Sequence, residues 1–319
     1  MKRILVTAGG TAIAWHIANI AEQYFSNGEI ELFICDTNKP KLVPASTKAK
    51  KTFMVPPSST PEYSEILGRI VHDNNIDHII PLLPQESFLF ASDSEFVKKH
   101  KVTSSAPATN TSLLLTDKSN LYKTLTDLSI PTPRLLSIDK IDKQAMYIIK
   151  PKLGFGSVGI RTVSGSYIAD NSDEFQSDDI VIQEYCHNDD YDEATVEIYN
   201  GSEGLSIFAR RRIATKAGVC VKMEPINEKI FYPYISDLVK NIECPKAFNV
   251  QFLLDNGQWK LFDCNLRLGA GTALSTSIGF QLTRSLLAEI VGAKVDKAWF
   301  DYDKSVKTVL RVYQEIVIK

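Results

Sequence analysis

The stretch Ile148-Ile149-Lys150-Pro151-Lys152-Leu153-Gly154-Phe155-Gly156-Ser157-Val158-Gly159-Ile160 decides the fold. An apolar strand runs into Lys150, glycines and a serine follow, and a second apolar strand begins at Ile160. Glycines let backbone N–H groups converge on an anion, and a lysine at the rim supplies the counter-charge to a phosphate. A strand follows the glycines, so the segment is not a P-loop, in which a helix would follow. It reads as a hairpin flap over a nucleotide. Taken alone, an ordinary glycine-containing hairpin is the lesser alternative.

A second constellation lies downstream. Asn249-Val250-Gln251-Phe252-Leu253-Leu254 and Gln258-Trp259-Lys260-Leu261-Phe262-Asp263-Cys264-Asn265-Leu266-Arg267 flank Asp255-Asn256-Gly257. Side chains alternate faces along a strand, so Asp263, Asn265 and Arg267 share one. A two-residue Asn256-Gly257 turn would set Val250 opposite Asp263 and leave a carboxylate among apolar partners. A three-residue loop would set Asn249 opposite Asp263. The second register is the expected one, because it sorts Val250, Phe252, Leu254, Phe262, Cys264 and Leu266 onto a core face. Asn249, Gln251, Asp263, Asn265 and Arg267 then share the other. One carboxylate among neutral amides suits Mg²⁺, which takes its remaining ligands from water and phosphates. Arg267 can brace a phosphate oxygen. A solvated polar strand face would look the same.

Two weaker segments lie between. Ile182-Gln183-Glu184-Tyr185-Cys186 leaves an apolar strand, and Glu193, Thr195 and Glu197 alternate along the next. Backbone groups at such an exit can read an adenine edge, and an acid can accept from ribose hydroxyls. Arg210-Arg211-Arg212 places Arg210 and Arg212 on one strand face, where paired guanidiniums favour phosphate or carboxylate; a solvated charge run is the alternative.

Toward the N-terminus the pattern changes. Thr116-Asp117 caps a helix with the stripe Leu121, Leu125 and Leu128, and Ile130-Pro131-Thr132-Pro133 ends it. Before that, strands at Ile4 to Thr7, Glu31 to Cys35 and His78 to Leu82 alternate with helices at Ala14 to Phe25 and Glu62 to Asp73. That alternation predicts a doubly wound, mostly parallel sheet. The uncharged opening from Ile4 to Ala21 has the outline of a signal peptide, but Gly9-Gly10-Thr11 interrupts it and the period changes from strand to helix. It reads as strand, turn and helix. The turn with Asp36 beyond it invites a dinucleotide reading, although it is not G-x-G-x-x-G.

Composition fits this division. At 319 residues, 44% hydrophobic, the chain suffices for about two domains of roughly 150 residues. A formal net charge of -2 leaves no basic excess for nucleic acid. Five scattered cysteines without a C-x-x-C pair indicate neither a disulfide framework nor a zinc site, and point to the cytoplasm. No stretch has the length and apolarity of a membrane span.

The order of the pieces resembles the ATP-grasp superfamily, in the branch of the carbamoyl-phosphate synthase large subunit. It runs from Asp117-Lys118, through Lys150-Pro151 with its glycine loop and Gln183-Glu184-Tyr185, to Asn249-Val250-Gln251-Phe252 and Asp263-Cys264-Asn265-Leu266-Arg267. The segment Ala209 to Gly218 is similar to an Arg-rich part of that branch. The resemblance implies an α/β leader over 1–112, then an α+β ATP-grasp fold with a flap-bearing lid over 113–187 and a metal-bearing subdomain over 188–319. By the same resemblance Lys118, Lys150, Gly156 and Ser157 contact ATP phosphates. Gln183, Glu184, Tyr185 and Cys186 form the adenine hinge, and Glu193 takes the ribose. Gln251, Asp263 and Asn265 hold Mg²⁺ or Mn²⁺, and Arg267 and Arg212 act at the transferred phosphate. The implied reaction is activation of a carboxylate as an acylphosphate and its joining to an amine. Both substrates are small molecules, with neither nucleic acid nor membrane as partner, and a homodimer is compatible with this. A nucleotide-binding regulator without turnover and an NAD-dependent oxidoreductase are the alternatives. Two positions depart from the family pattern: Asp263 stands where Glu is usual, and Leu266 where proline is usual.

Overall fold

The computed structural model describes residues 1–154, 158–186, 193–312 and 314–317. Gly156 and Ser157, expected at the phosphates, lie outside the described residues. Among the described residues the chain forms three sheets.

The first half alternates strand and helix: β1 Lys2–Val6, α1 Ala12–Tyr24, β2 Ile30–Asp36, β3 Lys51–Met54, α2 Glu62–Asp73, β4 His78–Ile80, α3 Glu95–His100 and β5 Thr103–Ser104. All pairings are parallel, in the order β3-β2-β1-β4-β5. Ile4, Leu5 and Val6 are wholly buried because helices cover both faces of a parallel sheet. Each such side chain contributes roughly 1.5–3 kcal/mol by burial. The turn after β1 is a tight structural corner. The Gly10 N–H donates to Asp36 Oδ2 at 2.7 Å and Asn38 donates to Oδ1, so Asp36, the acid of the alternative dinucleotide reading, is engaged in holding the turn. Thr11 caps α1, its hydroxyl accepting from the Ala14 N–H.

Helices α4 Thr109–Thr116 and α5 Lys118–Asp127 lead into a small antiparallel sheet of β6 Leu135–Leu136, β7 Met146–Pro151, β8 Arg161–Ser164 and β9 Ile180–Glu184, with α6 Gly165–Asp170 beside it. Asp117 starts α5, accepting from the Ser119 and Asn120 N–H groups. The third sheet contains β10 Glu193–Gly201, β11 Gly204–Lys216, β12 Val219–Pro225, β13 Ala247–Asp255, β14 Gln258–Asn265 and β15 Val309–Leu310. It is antiparallel, in the order β14-β13-β10-β11-β12-β15, and carries α7 Tyr232–Asn241, α8 Thr272–Thr276 and α9 Leu282–Val291.

The cores show what is fixed to what. Ile13, Ile17 and Ile20 of α1 share one apolar cluster with Tyr199, Phe208, Phe280 and Leu286, so the parallel domain is built into one face of the large sheet. The small sheet keeps a separate core of Tyr147, Ile149, Ile168, Phe175 and Ile182.

The β13–β14 hairpin differs from the expected register. Its loop is the two-residue Asn256-Gly257 turn, with φ of 49° and 79°, and Asp255 faces Gln258. A bulge at Phe262 then shifts the ladder by one residue, so Gln251 faces Asp263 and Asn249 faces Asn265. The expected polar face forms, but a bulge rather than a longer loop produces it. Phe262, the bulged residue, lines the cleft while still packing against the core.

Candidate functional site

A cleft of about 510 Å³ lies where the three sheets meet. That size suits a nucleotide with a small substrate. Thr11, Ala12 and Ile13 at the start of α1 line one wall, and Lys118, Lys150, Gly154 and Val158 line another. Arg210, Arg212, Asn249, Gln251, Asp263, Asn265 and Arg267 form the floor. The cleft thus gathers both lysines, the three expected metal ligands and the two arginines expected at the transferred phosphate.

Ladder register builds that floor. Arg210 pairs with Thr195, Thr195 with Gln251, and Gln251 with Asp263, which makes one row across four strands. The neighbouring row is Phe208, Glu197, Asn249 and Asn265. Asn265 Nδ2 donates to Asp263 Oδ2 at 3.1 Å, and Asn249 Nδ2 donates to the Arg267 carbonyl at 3.0 Å. Carboxylate and amide oxygens from Asp263, Gln251 and Asn265 make a hard, all-oxygen donor set, which fits Mg²⁺ completed by phosphates and water.

The lysines approach from above. Lys118 Nζ lies 3.8 Å from Asp263 Oδ1. Lys150 Nζ donates to Tyr122 Oη at 2.7 Å and sits over the Tyr122 and Phe262 rings. Tyr122 Oη in turn donates to Gln183 Oε1 at 2.7 Å. Burial, with Lys118 adding to it against the pull of Asp263, brings the Lys150 ammonium down to about 7. Lys150 is thus a strained cation whose missing counter-charge a phosphate would supply. Tyr122 was not foreseen, although it stands four residues after Lys118 on one helix face, a legible spacing.

At the β9 exit, Gln183 is buried and Tyr185 exposed. Glu184 accepts from Arg134 at 2.6 Å and from Lys260 at 2.7 Å, and Lys260 also reaches Asp255 at 2.7 Å. Burial opposes ionisation of Glu184, but these bonds outweigh it and hold the acid below its usual range. Burial raises the Cys186 thiol to about 11, so it is neutral. Glu184, Cys186 and Asp255 have the spacing of a metal site, but Lys260 already bridges the two carboxylates.

Glu193 lies 3.2 Å from Arg212 Nε, and Arg212 Nη2 donates to the Gly218 carbonyl at 3.0 Å. Glu197, the second acid of that alternation, is wholly buried: it pairs with Arg210 Nη1 and accepts from Ser275 Oγ. Sequence reasoning missed this partnership, whose members are far apart in the chain.

Two family models match: the PylC-like N-terminal domain over residues 4–104 and the ATP-grasp domain over residues 115–271. No curated protein matches the sequence. Among solved structures, N5-carboxyaminoimidazole synthetase from Staphylococcus aureus complexed with ADP aligns with a TM-score of 0.71 at 14% identity. The alignment covers 92% of this chain and 78% of that one. The biotin carboxylase–ATP complex from Campylobacter jejuni aligns at 0.74 and 15% identity, over 93% and 72%. The biotin carboxylase domain of Hydrogenobacter thermophilus 2-oxoglutarate carboxylase, with MgADP and bicarbonate, aligns at 0.73 and 14% identity, over 96% and 72%. At such identities the likeness is one of fold. With both family matches, a parallel N-terminal sheet and antiparallel sheets around the cleft, the chain is an ATP-grasp protein with a PylC-like N-terminal domain.

Proposed function

We propose that this protein is an ATP-dependent ligase that activates a carboxylate as an acylphosphate and joins it to an amine. The observation that carries this reading is the Gln251–Asp263 and Asn249–Asn265 pairing, with Lys118 and Lys150 above it. A hard-cation donor set and two lysines around one cleft suit a polyphosphate. Gln251, Asp263 and Asn265 would hold Mg²⁺, which when bound draws charge from the phosphate oxygens. Lys150 and Lys118 would neutralise the same oxygens, and Arg267 would take the charge that develops on the transferred group. Residues 183–186 would form the adenine hinge, with Glu193 at the ribose. The carboxylate of the acid attacks the terminal phosphorus and ADP leaves; the amine then attacks the acyl carbon and phosphate leaves. Positioning and exclusion of water supply most of the catalysis, because the acylphosphate carries its own leaving group. The small sheet, with its separate core, is the element suited to close.

The domain limits at 112/113 and 187/188, the carbamoyl-phosphate synthase-like affiliation and a cytoplasmic setting belong to the same proposal. No described helix is long and apolar enough to cross a membrane.

A panel of carboxylic acids with ATP, Mg²⁺ and hydroxylamine tests the reading. Hydroxamate and ADP should appear together with the right acid, and Lys150→Ala and Asp263→Ala should abolish both. Tight nucleotide binding with no ADP from any acid and amine pair would favour the regulatory alternative.

A further inference from the structure

The cleft has a second cationic pole that phosphate transfer does not use. It is centred on Arg210, three strands from Asp263 along the same cross-strand row. At ~4.8 Å per strand the two backbones stand roughly 14 Å apart. Arg210 is 97% buried (3% exposed) yet lines the cleft. Its Nη1 is held by Glu197, and Glu197 is held in turn by Ser275. Its Nε is buried and has no partner among the described residues, and the same is true of the hydroxyl of Thr195, directly across the ladder. Two buried polar atoms without partners, on facing residues that both line the cleft, are costly unless a ligand oxygen completes them.

The surroundings keep this pole in place. A Cβ built on Gly271 would stand 2.1 Å from Arg210 Nη2, so glycine is what lets the guanidinium lie against the loop after β14. Arg311 closes that loop from the far side through the Ala270 carbonyl. Across the cleft α1 presents its N-terminal turn at Thr11 to Ile13, with no acidic residue in it. Arg212 is ion-paired with Glu193 and donates to the Gly218 carbonyl, although its Nε, like that of Arg210, is buried without a hydrogen bond; the unpartnered Thr195 hydroxyl across the ladder is what sets Arg210 apart.

We propose that the acid bound here carries a second anionic group, a carboxylate or a phosphate, seated on Arg210 and Thr195 while its reacting carboxylate lies toward Asp263 and Arg267. Glu197 and Ser275 are positioning residues for Arg210. The inference rests on the ligase reading for which carboxylate reacts, but not for the existence of the anion seat.

Calorimetry in saturating Mg²⁺ and a non-hydrolysable ATP analogue tests it. The titrants are succinate, glutarate, adipate and phosphonoacetate against butyrate, valerate and hexanoate. At least one doubly anionic acid should bind about tenfold or more tighter than its monoanionic counterpart, as a charge-assisted guanidinium contact requires. The best probe tells carboxylate from phosphate as the second group. Arg210→Gln should erase the preference and leave the affinity for the ATP analogue unchanged. Since Arg210→Gln strands a buried Glu197, the paired Glu197→Gln/Arg210→Gln variant and Gly271→Ala, which displaces the guanidinium without removing charge, should erase it too. Equal binding of both classes, no binding of either, or a preference surviving in all three variants would overturn the proposal. A preference without ADP or hydroxamate from any of these acids would refute the ligase reading and leave the seat standing.

Discussion

Lys150 is held at a cost that pH can measure. Burial and Lys118 bring its ammonium from 10.5 to about 7, against the opposing pull of Asp263. A shift of ~3.5 units corresponds to about 5 kcal/mol. The folded-state value lies below the unfolded one, so the penalty is complete below pH 7, where both states carry the proton. It is relieved as pH rises from 7 toward 10.5, where only the unfolded chain binds it. Between pH 6.5 and pH 9 the relief amounts to about 2–3 kcal/mol, or roughly 4 °C in Tm for a chain of this size. Lys150→Met removes the titrating group together with its contacts to Tyr122 and Phe262. Those contacts are independent of pH to first order, because burial holds the Tyr122 hydroxyl far above this range. The stability of Lys150→Met relative to wild type should therefore fall by about 2–3 kcal/mol from pH 6.5 to pH 9, measured by urea unfolding without nucleotide. A saturating Mg²⁺–ATP analogue should flatten the wild-type dependence, since the phosphates return the counter-charge. A difference curve flat within ~0.5 kcal/mol, or sloping the other way, would refute the claim that Lys150 is an unpaired cation awaiting an anion.

Other perturbations separate catalysis from scaffolding. Asp263→Ala should lower ADP release by about 100-fold or more and raise the Mg²⁺ concentration for half-activity, with Tm nearly unchanged; Asp263→Glu should recover part of the rate. Lys260→Met leaves Glu184 and Asp255 facing each other without their bridge, and should cost about 2–3 kcal/mol in urea unfolding, largely restored by adding Asp255→Asn. Arg284 lies 4.0 Å from the centroid of Tyr24 and 3.9 Å from that of Trp299. Arg284→Ala should lower stability by about 1–2 kcal/mol, Arg284→Lys by less, and a loss under 0.5 kcal/mol would show that the stack is incidental.

Local signals were sufficient for most of the chain's organisation. β1, α1, β2, α2 and β4 follow from a change of period, and Asp117 from its place before Lys118. β12 escaped because its hairpin has no Asn-Gly. Ala217 and Gly218 make the turn with φ of 48° and 76°, and alanine at positive φ is not a signature anyone reads from sequence. The β13–β14 register escaped for a related reason. Asn256-Gly257 pointed to a two-residue turn, but polar sorting argued against it, and only a bulge at Phe262 reconciles the two.

What sequence could not show is how charge is shared across strands. Arg210 and Arg212 look equivalent in Arg210-Arg211-Arg212, two residues apart on one face. The ladder makes them different. The half-exposed Glu193 carboxylate lies 3.2 Å from Arg212 Nε. Opposite Arg210 stands Thr195, which carries no charge to neutralise a guanidinium, and the balancing acid comes diagonally from Glu197 to Nη1. The acid of Arg212 thus lies at its Nε and that of Arg210 at its Nη1, and both arginines line the cleft. That asymmetry depends on which residue of β10 lies across from which residue of β11, and a shift of one residue would remove it. Specificity in this fold thus rests on register, whereas the metal and phosphate residues, which lie within one hairpin and beside one loop, are legible from the order of residues alone.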